Sequence, residues 1–210
     1  LRVREFTMKD AYSFDADEEG LSTAFEKQHQ AYLKIFDRLD LDVIPVEASS
    51  GNMGGSDSIE FMVQAPSGED DVMLCSSCGY SANIEKAISR LDAITDSPGP
   101  SAPEKFATPG IRTIAALADA GHDGENQIKT MVYVVDGQVT LVLVRGDHFI
   151  NEQKLADATQ ANNIRPARRE ETIEHLGAEP GSLGAVNVSD LPIFADHALQ
   201  GRTNMTTGAN

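Results

Sequence analysis

Residues 128–144 read IKTMVYVVDGQVTLVLV, and this stretch decides the fold of the second half of the chain. It holds two runs rich in β-branched and other apolar residues, 128–135 and 138–144, separated only by Asp136-Gly137. Asp-Gly between two such runs favours a type I′ turn, in which both central residues have positive φ. Near-continuous apolar runs are typical of strands covered on both faces. The sequence therefore predicts a β-hairpin at the centre of a covered sheet.

Helices and short strands are predicted around this hairpin. Upstream, Thr108-Pro109 is a start signal for a helix over residues 111–120. Downstream, the chain predicts a strand-end turn over 145–148, a helix that starts at Asn151, a short helix over 170–176 and a strand over 191–196.

The first half of the chain predicts a separate set of elements. Apolar residues at helical spacing predict an amphipathic helix of about five turns: Leu21, Phe25, Tyr32, Phe36 and Leu39. Other predicted elements are a strand entering a turn over 2–14, strands over 42–48 and 72–74, and a helix over 84–91. The fold class is therefore α+β.

A proline-rich segment separates the two halves. The prolines at 98, 100 and 103 cannot continue a helix or a central strand, so they mark a linker. We predict a first domain over residues 1–96, a linker over 97–104 and a second domain over 105–210. The chain begins inside a motif and ends without a capping element, so we expect an internal fragment of a longer enzyme.

Charge and composition exclude several classes of protein. The 210 residues carry 33 Asp and Glu against 17 Lys and Arg, a formal charge of -16. A general nucleic-acid binder would show a basic stripe, so any RNA contact needs a local patch or a partner domain. No apolar run approaches the ~18 residues that span a bilayer, and the first residues are charged, unlike a signal peptide. Two cysteines indicate no disulfide framework, so we expect a cytoplasmic protein.

Several short patterns are candidates for chemistry, and each has a structural alternative. Cys75-Ser-Ser-Cys78 could be half of a zinc site, a redox pair or a tight turn; with no second pair to complete a tetrahedral site, the turn is favoured. His148 beside Asp147 could be a catalytic dyad, but a hydrogen-bonded turn is favoured because no nucleophile accompanies it. The glycine-rich loop over 177–187 can present N–H groups to an oxyanion, or it can be a surface loop.

Taken in order, the motifs resemble those of bacterial-type prolyl-tRNA synthetases of class II. The matching phrases are Arg-x-Arg-Glu-Phe-x-Met-Lys-Asp-Ala-Tyr-Ser-Phe from Arg2, Gly-Gly-Ser-x-Ser from Gly54, Cys-x-x-Cys-Gly-Tyr-x-Ala-Asn from Cys75, Lys-Thr-x-Val-Tyr from Lys129, Val-Arg-Gly-Asp-His from Val144, Asn-Glu-x-Lys-Leu from Asn151, Gly-Ser-Leu-Gly-x-Val-Asn from Gly181 and Gly-Ala-Asn from Gly208. Two positions differ from the family pattern: Ile59 replaces a histidine and Ala185 replaces a proline. The chain also stops before the Asp-Gly-x-His-Tyr strand that normally follows Gly-Ala-Asn.

The resemblance implies part of a class II antiparallel sheet with helices, followed by a mixed α/β editing domain that is cut at its C-terminus. It implies that Arg2 approaches the phosphates of ATP and Phe6 stacks on adenine. It places beside the amino-acid pocket the residues Gly54, Gly55, Ser56, Ser58 and Glu60. It implies an editing site in which Lys129 lines the pocket and a glycine loop closes over the aminoacyl end; the loop residues are Gly181, Ser182, Leu183 and Gly184.

The implied reaction attaches proline to its tRNA through prolyl-adenylate, with ATP as substrate and Mg²⁺ accompanying it. The implied second reaction is hydrolysis of alanine wrongly attached to the same tRNA. We expect no metal site of the chain's own and a homodimer for the full-length enzyme. We also expect these residues alone not to aminoacylate, because the other class II motifs and an anticodon-binding domain are missing. The alternatives are a stand-alone deacylase, for which residues 105–210 would suffice, and a non-catalytic paralogue that binds tRNA or a partner.

Overall fold

The computed structural model describes residue 5 and residues 11–51, 58–92 and 94–210. Spatial contacts divide the chain into two units, residues 1–47 with 59–84 and residues 48–58 with 85–210. The strand predicted over 2–14 falls mostly outside the described residues, and residues 11–15 have no regular secondary structure. The predicted linker over 97–104 lies within the second unit, and the predicted domain limits stay predictions.

The first unit combines one long helix with a small mixed sheet. Its elements are α1 (Glu18–Arg38), β1 (Val43–Glu47), β2 (Ile59–Val63), β3 (Val72–Leu74) and β4 (Ser81–Asn83). In the described part of this unit the strand order is β2-β1-β4-β3, and only β1 and β4 run parallel. The predicted helix and the strands predicted over 42–48 and 72–74 are confirmed.

The helix α1 packs through the aromatic residues that predicted it. Asp17 caps its first turn by accepting a hydrogen bond from the N–H of Gly20 at 2.8 Å. The Phe61 ring of β2 lies with its centroid 5.4 Å from the centroids of Tyr32 and Phe36. The aromatic face of α1 therefore packs against the sheet.

The second unit is built on a mixed sheet with helices around it. Its elements are α2 (Ile114–Asp119), β5 (Gln127–Val135), β6 (Gln138–Arg145), α3 (Glu152–Thr159), β7 (Ile164–Pro166), α4 (Arg169–Leu176), β8 (Ile193–Ala195) and β9 (Thr206–Thr207). The strand order is β7-β5-β6-β8; β8 runs parallel to β6, and β9 pairs in parallel with the start of β5.

The predicted hairpin forms the middle of this sheet. Val135 pairs with Gln138 across the turn, and positive φ angles of 45° at Asp136 and 88° at Gly137 fit the predicted type I′ turn. Each face of the hairpin carries its own buried cluster. One cluster is Val132, Val134, Val139 and Leu141; the other is Tyr133, Val142 and Leu155. The prediction of a central, covered hairpin is confirmed.

Three predicted elements differ from the structure. The helix predicted over 84–91 is wrong, because this segment is a turn followed by irregular chain. Its Ile88 side chain is 84% exposed, so the apolar spacing finds no surface to pack on, and packing provides most helical stability. The helix predicted over 111–120 begins only at Ile114, where the Thr113 hydroxyl accepts from the N–H of Ala116 at 3.1 Å. In the structure the strand predicted over 191–196 covers only Ile193–Ala195.

A buried ion pair fixes residue 96 to the end of the second unit. The Arg202 guanidinium contacts both carboxylate oxygens of Asp96, with its shortest distance 2.7 Å, and both side chains are more than nine-tenths buried. The N–H of Thr203 donates to the same carboxylate at 2.7 Å. Arg202, followed by the N–H of Thr203, lowers the pKa of Asp96 below its usual value.

No helix in residues 11–51, 58–92 or 94–210 is long and apolar enough to cross a membrane.

Replacing Leu141 by alanine tests the central position of the hairpin. Leu141 is fully buried, so Leu141→Ala removes packed methyl groups and should lower the free energy of unfolding by about 2–5 kcal/mol. Val186→Ala, at a side chain that is 41% exposed, is the control and should cost far less. Urea unfolding of the three proteins measures this, and equal losses for both variants would contradict a core centred on Leu141.

Replacing Asp96 by asparagine tests the ion pair through its pH dependence. The folded-state pKa of Asp96 is lowered, so its stabilisation is present above the unfolded value of about 3.9 and disappears as pH falls through the folded pKa. Asp96→Asn should therefore lower the Tm at neutral pH, and the difference from the natural protein should shrink in acid. Thermal melts across this range measure it, with Asp119→Asn at an exposed carboxylate as control. A Tm difference that does not change with pH would exclude the charged pair as its cause.

Candidate functional site

The predicted glycine loop, residues 181–184, lies between α4 and β8. Leu183 and the neighbouring Ala185 pack against the cluster of Val132, Val134, Val139 and Leu141. The apolar side chains of the loop thus anchor it on one face of the hairpin. Ala185, where the family pattern has proline, takes part in this anchoring through its methyl group.

Asn210 holds the loop through its side-chain amide. The N–H of Gly184 donates to Oδ1 of Asn210 at 3.0 Å, and Nδ2 of Asn210 donates back to the Gly184 carbonyl at 3.0 Å. The backbone N–H of Asn210 also donates to the carbonyl of Ser182 at 3.3 Å. These three bonds pair residue 210 with the loop much as neighbouring strands pair, and we call them the Asn210 clasp.

The clasp brings two backbone segments so close that no side chain fits between them. A Cβ on Gly184 would overlap the carbonyl group of Gly208, and a Cβ on Gly208 would overlap the carbonyl oxygens of Ser182 and Leu183. Glycine permits such an approach because it has no Cβ. The Gly-Ala-Asn motif and the glycine loop therefore require each other.

The clasp separates the loop residues into two kinds. The N–H of Gly184 is occupied by Asn210, so it supports the loop and is not free to bind an ester carbonyl. Among the described residues, the N–H groups of Gly181, Ser182 and Leu183 meet no hydrogen-bond acceptor. Backbone N–H groups held in place and free of partners are the donors that stabilise an oxyanion.

Arg112 lies beside the same loop. A Cβ on Gly181 would lie 3.3 Å from Cγ and 3.5 Å from Cδ of Arg112, so the arginine stem runs along the glycine. Gly181 has a φ of 134°, a conformation that other residues rarely adopt. The position thus fits only a glycine, and the missing side chain leaves room for Arg112.

Lys129 on β5 is held by the turn that follows β6. Its ammonium donates to the carbonyls of His148 at 2.5 Å and Gly146 at 3.3 Å. It also lies 4.7 Å from the centroid of the Phe149 ring, which is 90% exposed. Partial burial lowers the pKa of Lys129, and the negative charge of Asp147 opposes this shift.

The two predicted parts of the editing site lie on different faces of β5. Side chains alternate along a strand, so Lys129 shares a face with Tyr133, whereas Leu183 packs against the face of Val132 and Val134. In the described part of the chain no hydrogen bond joins Lys129 to residues 181–184.

The pairing of Asp147 supports the turn interpretation of residues 145–148. Arg145 Nε lies 2.6 Å from Oδ1 of Asp147, and Arg145 lowers the pKa of that carboxyl group. The N–H of His148 donates to the carbonyl of Arg145 at 2.9 Å. The carboxylate therefore pairs with an arginine, and the predicted strand-end turn is confirmed.

Candidates from the first half of the chain are only partly described. Five predicted residues fall outside the described residues: Arg2, Phe6, Gly54, Gly55 and Ser56. The carbonyl of Ser58 accepts from the N–H of Ala48 at 3.0 Å. In the first unit, Oε2 of Glu60 accepts from the side-chain amide of Asn83 at 3.4 Å.

The cysteine pair lies in a tight turn, as favoured from the sequence. The N–H of Gly79 donates to the carbonyl of Cys75 at 3.0 Å, and both thiols are free. The N–H of Cys78, then that of Ser77, lowers the pKa of Cys75. In the described ranges no three His, Cys, Asp or Glu side chains are grouped so that they could hold a metal ion.

Comparison with known proteins shows which proteins the chain is similar to. Residues 108–210 match the model of the aminoacyl-tRNA editing domain. Over its whole length the chain is 52% identical to "Proline--tRNA ligase 1" of Anaeromyxobacter dehalogenans, 41% identical to a proline–tRNA ligase of Caldicellulosiruptor bescii and 42% identical to one of Staphylococcus aureus. Over its whole length the chain is therefore similar to bacterial proline–tRNA ligases. It spans 37% of the length of each of these relatives.

The structure was also compared with a solved structure of a candidate trans-editing enzyme for prolyl tRNA synthetase. The matched region covers 45% of this chain and 61% of the other chain. Its sequence is 27% identical, with a TM-score of 0.41.

The second unit, which includes the match to the aminoacyl-tRNA editing domain, contains contacts that the sequence does not predict. In the sequence Asn210 stands out only as the last residue of the Gly-Ala-Asn motif, and nothing there indicates its amide pairing with Gly184. Arg112 carried no signal of its own, because its place beside Gly181 depends on two segments far apart in sequence. The Asp96–Arg202 pair is equally remote in sequence and had no local signature.

Removing the Asn210 side chain should loosen the loop. Asn210→Ala deletes both side-chain bonds of the clasp, each worth about 1 kcal/mol, and exposes the Gly184 amide. Amide hydrogen exchange at Gly184 should accelerate about tenfold or more, while Gln200→Ala, at an exposed side chain, should leave it unchanged. Unaltered protection in the Asn210 variant would show that the core contacts of Leu183 alone hold the loop.

Proposed function

We propose that residues 108–210 hydrolyse alanine from wrongly charged tRNA(Pro). The supporting observation is the glycine loop, whose N–H groups at Gly181, Ser182 and Leu183 have no partner among the described residues while the Asn210 clasp fixes their position. The family model that matches this region is an aminoacyl-tRNA editing domain, and the loop lies within it.

Hydrolysis of an aminoacyl ester passes through a tetrahedral intermediate with a negatively charged oxygen. In the proposed complex the ester carbonyl points at the N–H groups of residues 181–183, which then stabilise this oxygen as charge develops. The donors are held before the reaction, by the clasp on one side and by Leu183 in the core on the other. Little reorganisation is therefore needed in the transition state.

Water is the proposed nucleophile. In the described part of the chain no histidine side chain forms a hydrogen bond to a serine or cysteine side chain, so an activated nucleophile of that kind has no support. A water molecule held by the backbone and by the neighbouring ribose hydroxyl attacks the ester carbon. The ester C–O bond then breaks, releasing alanine and leaving the ribose hydroxyl on the tRNA.

A small pocket provides selectivity against prolyl-tRNA(Pro). Extra methylenes are discriminated by roughly 1–3 kcal/mol each, so a first site that accepts proline rejects alanine only weakly. A second site that admits alanine and excludes proline by size removes the error. In the proposal Lys129 lines this pocket, although its side chain starts on the opposite face of β5 from the glycine loop. Its ammonium is fixed by the carbonyls of Gly146 and His148, and its substitution decides whether it belongs to the site.

The proposal includes the synthetic reaction of the proline–tRNA ligase family. In it, Arg2 and Phe6 bind ATP with its Mg²⁺, while the amino-acid pocket comprises Gly54, Gly55, Ser56, Ser58 and Glu60. Proline, ATP and tRNA(Pro) are the partners, in a cytoplasmic homodimer. The match to proline–tRNA ligases extends over the whole chain, including residues 1–107, and so favours this reading over a stand-alone deacylase.

Lys129→Ala tests the proposed pocket. We expect slower hydrolysis of alanyl-tRNA(Pro), or a loss of preference over prolyl-tRNA(Pro), because the fixed ammonium is removed. The matched control is Lys154→Ala, which removes another lysine that donates to a carbonyl, that of Ala87 at 2.5 Å. Burial lowers the pKa of Lys129, so any step that needs its ammonium should weaken with rising pH at a value below the usual 10.5.

Rates of deacylation of both tRNAs as a function of pH give the readout. If Lys129→Ala and Lys154→Ala behave alike on both substrates, Lys129 does not belong to the site. If the natural protein hydrolyses neither ester, the editing proposal itself fails.

A further inference from the structure

Four of the six arginines in residues 108–210 are neutralised by carboxylates within the fold, and Arg112 is one of the two that have no such pair among the described residues. Four arginines form ion pairs with carboxylates: Arg145 with Asp147, Arg165 with Glu171, Arg169 with Glu179 and Arg202 with Asp96. Arg112 has no carboxylate partner among the described residues, and it is exposed. In a chain of charge -16, an uncompensated cation at one loop is a local attraction for an anion.

The position of Arg112 is defined by the loop that it borders. Its Cβ, Cγ and Cδ all lie within 3.5 Å of the place where a side chain on Gly181 would begin. The stem is therefore packed on the loop backbone, while the residue as a whole is exposed, as long cationic side chains commonly are. The positive charge is thus carried by a side chain that borders the loop at Gly181, the residue before Ser182 and Leu183.

We infer that Arg112 binds the 5′-phosphate of the terminal nucleotide that carries the aminoacyl ester. The inference rests on the proposed function, since it takes the ester carbonyl to lie at residues 181–183. An aminoacyl ester has no free carboxylate, so the nearest anionic group of such a substrate is the phosphate on the same ribose. A guanidinium binds two phosphate oxygens at once through its fork of N–H donors.

This contact gives Arg112 a role distinct from that of the loop. The N–H groups of residues 181–183 act on the charge that develops during hydrolysis, whereas Arg112 acts on a charge that is present before and after it. An interaction that is equal in ground and transition states changes KM and leaves kcat unchanged. Arg112 is thus a positioning residue that sets the register of the terminal nucleotide on the loop.

The test compares two small esters that differ only in the phosphate, 3′-O-alanyl-adenosine and its 5′-monophosphate. The natural protein should hydrolyse the phosphorylated ester with the lower KM. Arg112→Ala should raise that KM about tenfold or more, the usual size of a charge-assisted bond, and should leave the unphosphorylated ester unaffected. Arg112→Lys should restore part of the difference, because it keeps the charge and loses the fork.

Arg90→Ala is the matched control, because it removes an exposed arginine from the same unit. Arg90→Ala should leave the KM of both esters unchanged. With alanyl-tRNA(Pro), Arg112→Ala should also reduce the slope of log affinity against log salt by about 0.7, the value for one phosphate contact on a single strand.

The outcomes separate this inference from the proposed function. Equal slowing of both esters by Arg112→Ala would overturn the inference, since it would mean that Arg112 supports the loop conformation. No change on either ester would overturn it too. If the natural protein hydrolyses neither ester, the proposed function fails, and binding of the amide analogue 3′-alanylamino-adenosine 5′-monophosphate then decides the role of Arg112. If the natural protein and Arg112→Ala bind this phosphorylated analogue with equal affinity, Arg112 does not bind the phosphate. If Arg112→Ala loses affinity only for the phosphorylated analogue, the phosphate contact is supported.

Discussion

The burial of both faces of the β5–β6 hairpin is the constraint on which the second unit depends. Leu141 is fully buried between partners on its own face, and Tyr133 and Val142 pack on the other. Because each face carries a buried cluster, segments of the second unit pack on both faces. Leu183 and Ala185 pack on the first, which fixes where the glycine loop lies; Leu155 of α3 packs on the second.

A loop that stabilises a developing charge must be fixed and must also leave its donors free. In the proposed site the two requirements fall on different groups, and at Leu183 the side chain meets the first while the backbone N–H meets the second. Gly184 and Leu183 hold the loop, one through the Asn210 clasp and the other through the core. The N–H groups of Gly181, Ser182 and Leu183 form no hydrogen bond with the described residues. Glycine at 184 and 208 is a consequence, because only bare backbone lets the two segments approach so closely.

The positively charged side chains are likewise divided, into those paired within the fold and those left without a carboxylate partner among the described residues. The chain is strongly acidic, and most arginines of the editing region are paired within the fold. A surface of this kind repels a nucleic acid in general, so the proposed binding of tRNA depends on a few unneutralised cations. Arg112 lies beside the loop, and Lys129 lies on the other face with its ammonium held by carbonyls.

The sequence by itself determined the elements whose signals are local. Asp136-Gly137 fixed the turn, the apolar runs fixed the covered hairpin, and the order of motifs indicated the family. It failed over residues 84–91, where helical spacing found no surface to pack on, since Ile88 is 84% exposed. Tertiary structure alone decided the Asn210 clasp, the Asp96–Arg202 pair and the place of Arg112 beside Gly181. Each joins segments far apart in the chain, so no local spacing encodes it; the contact exists only once the sheet has brought both segments together.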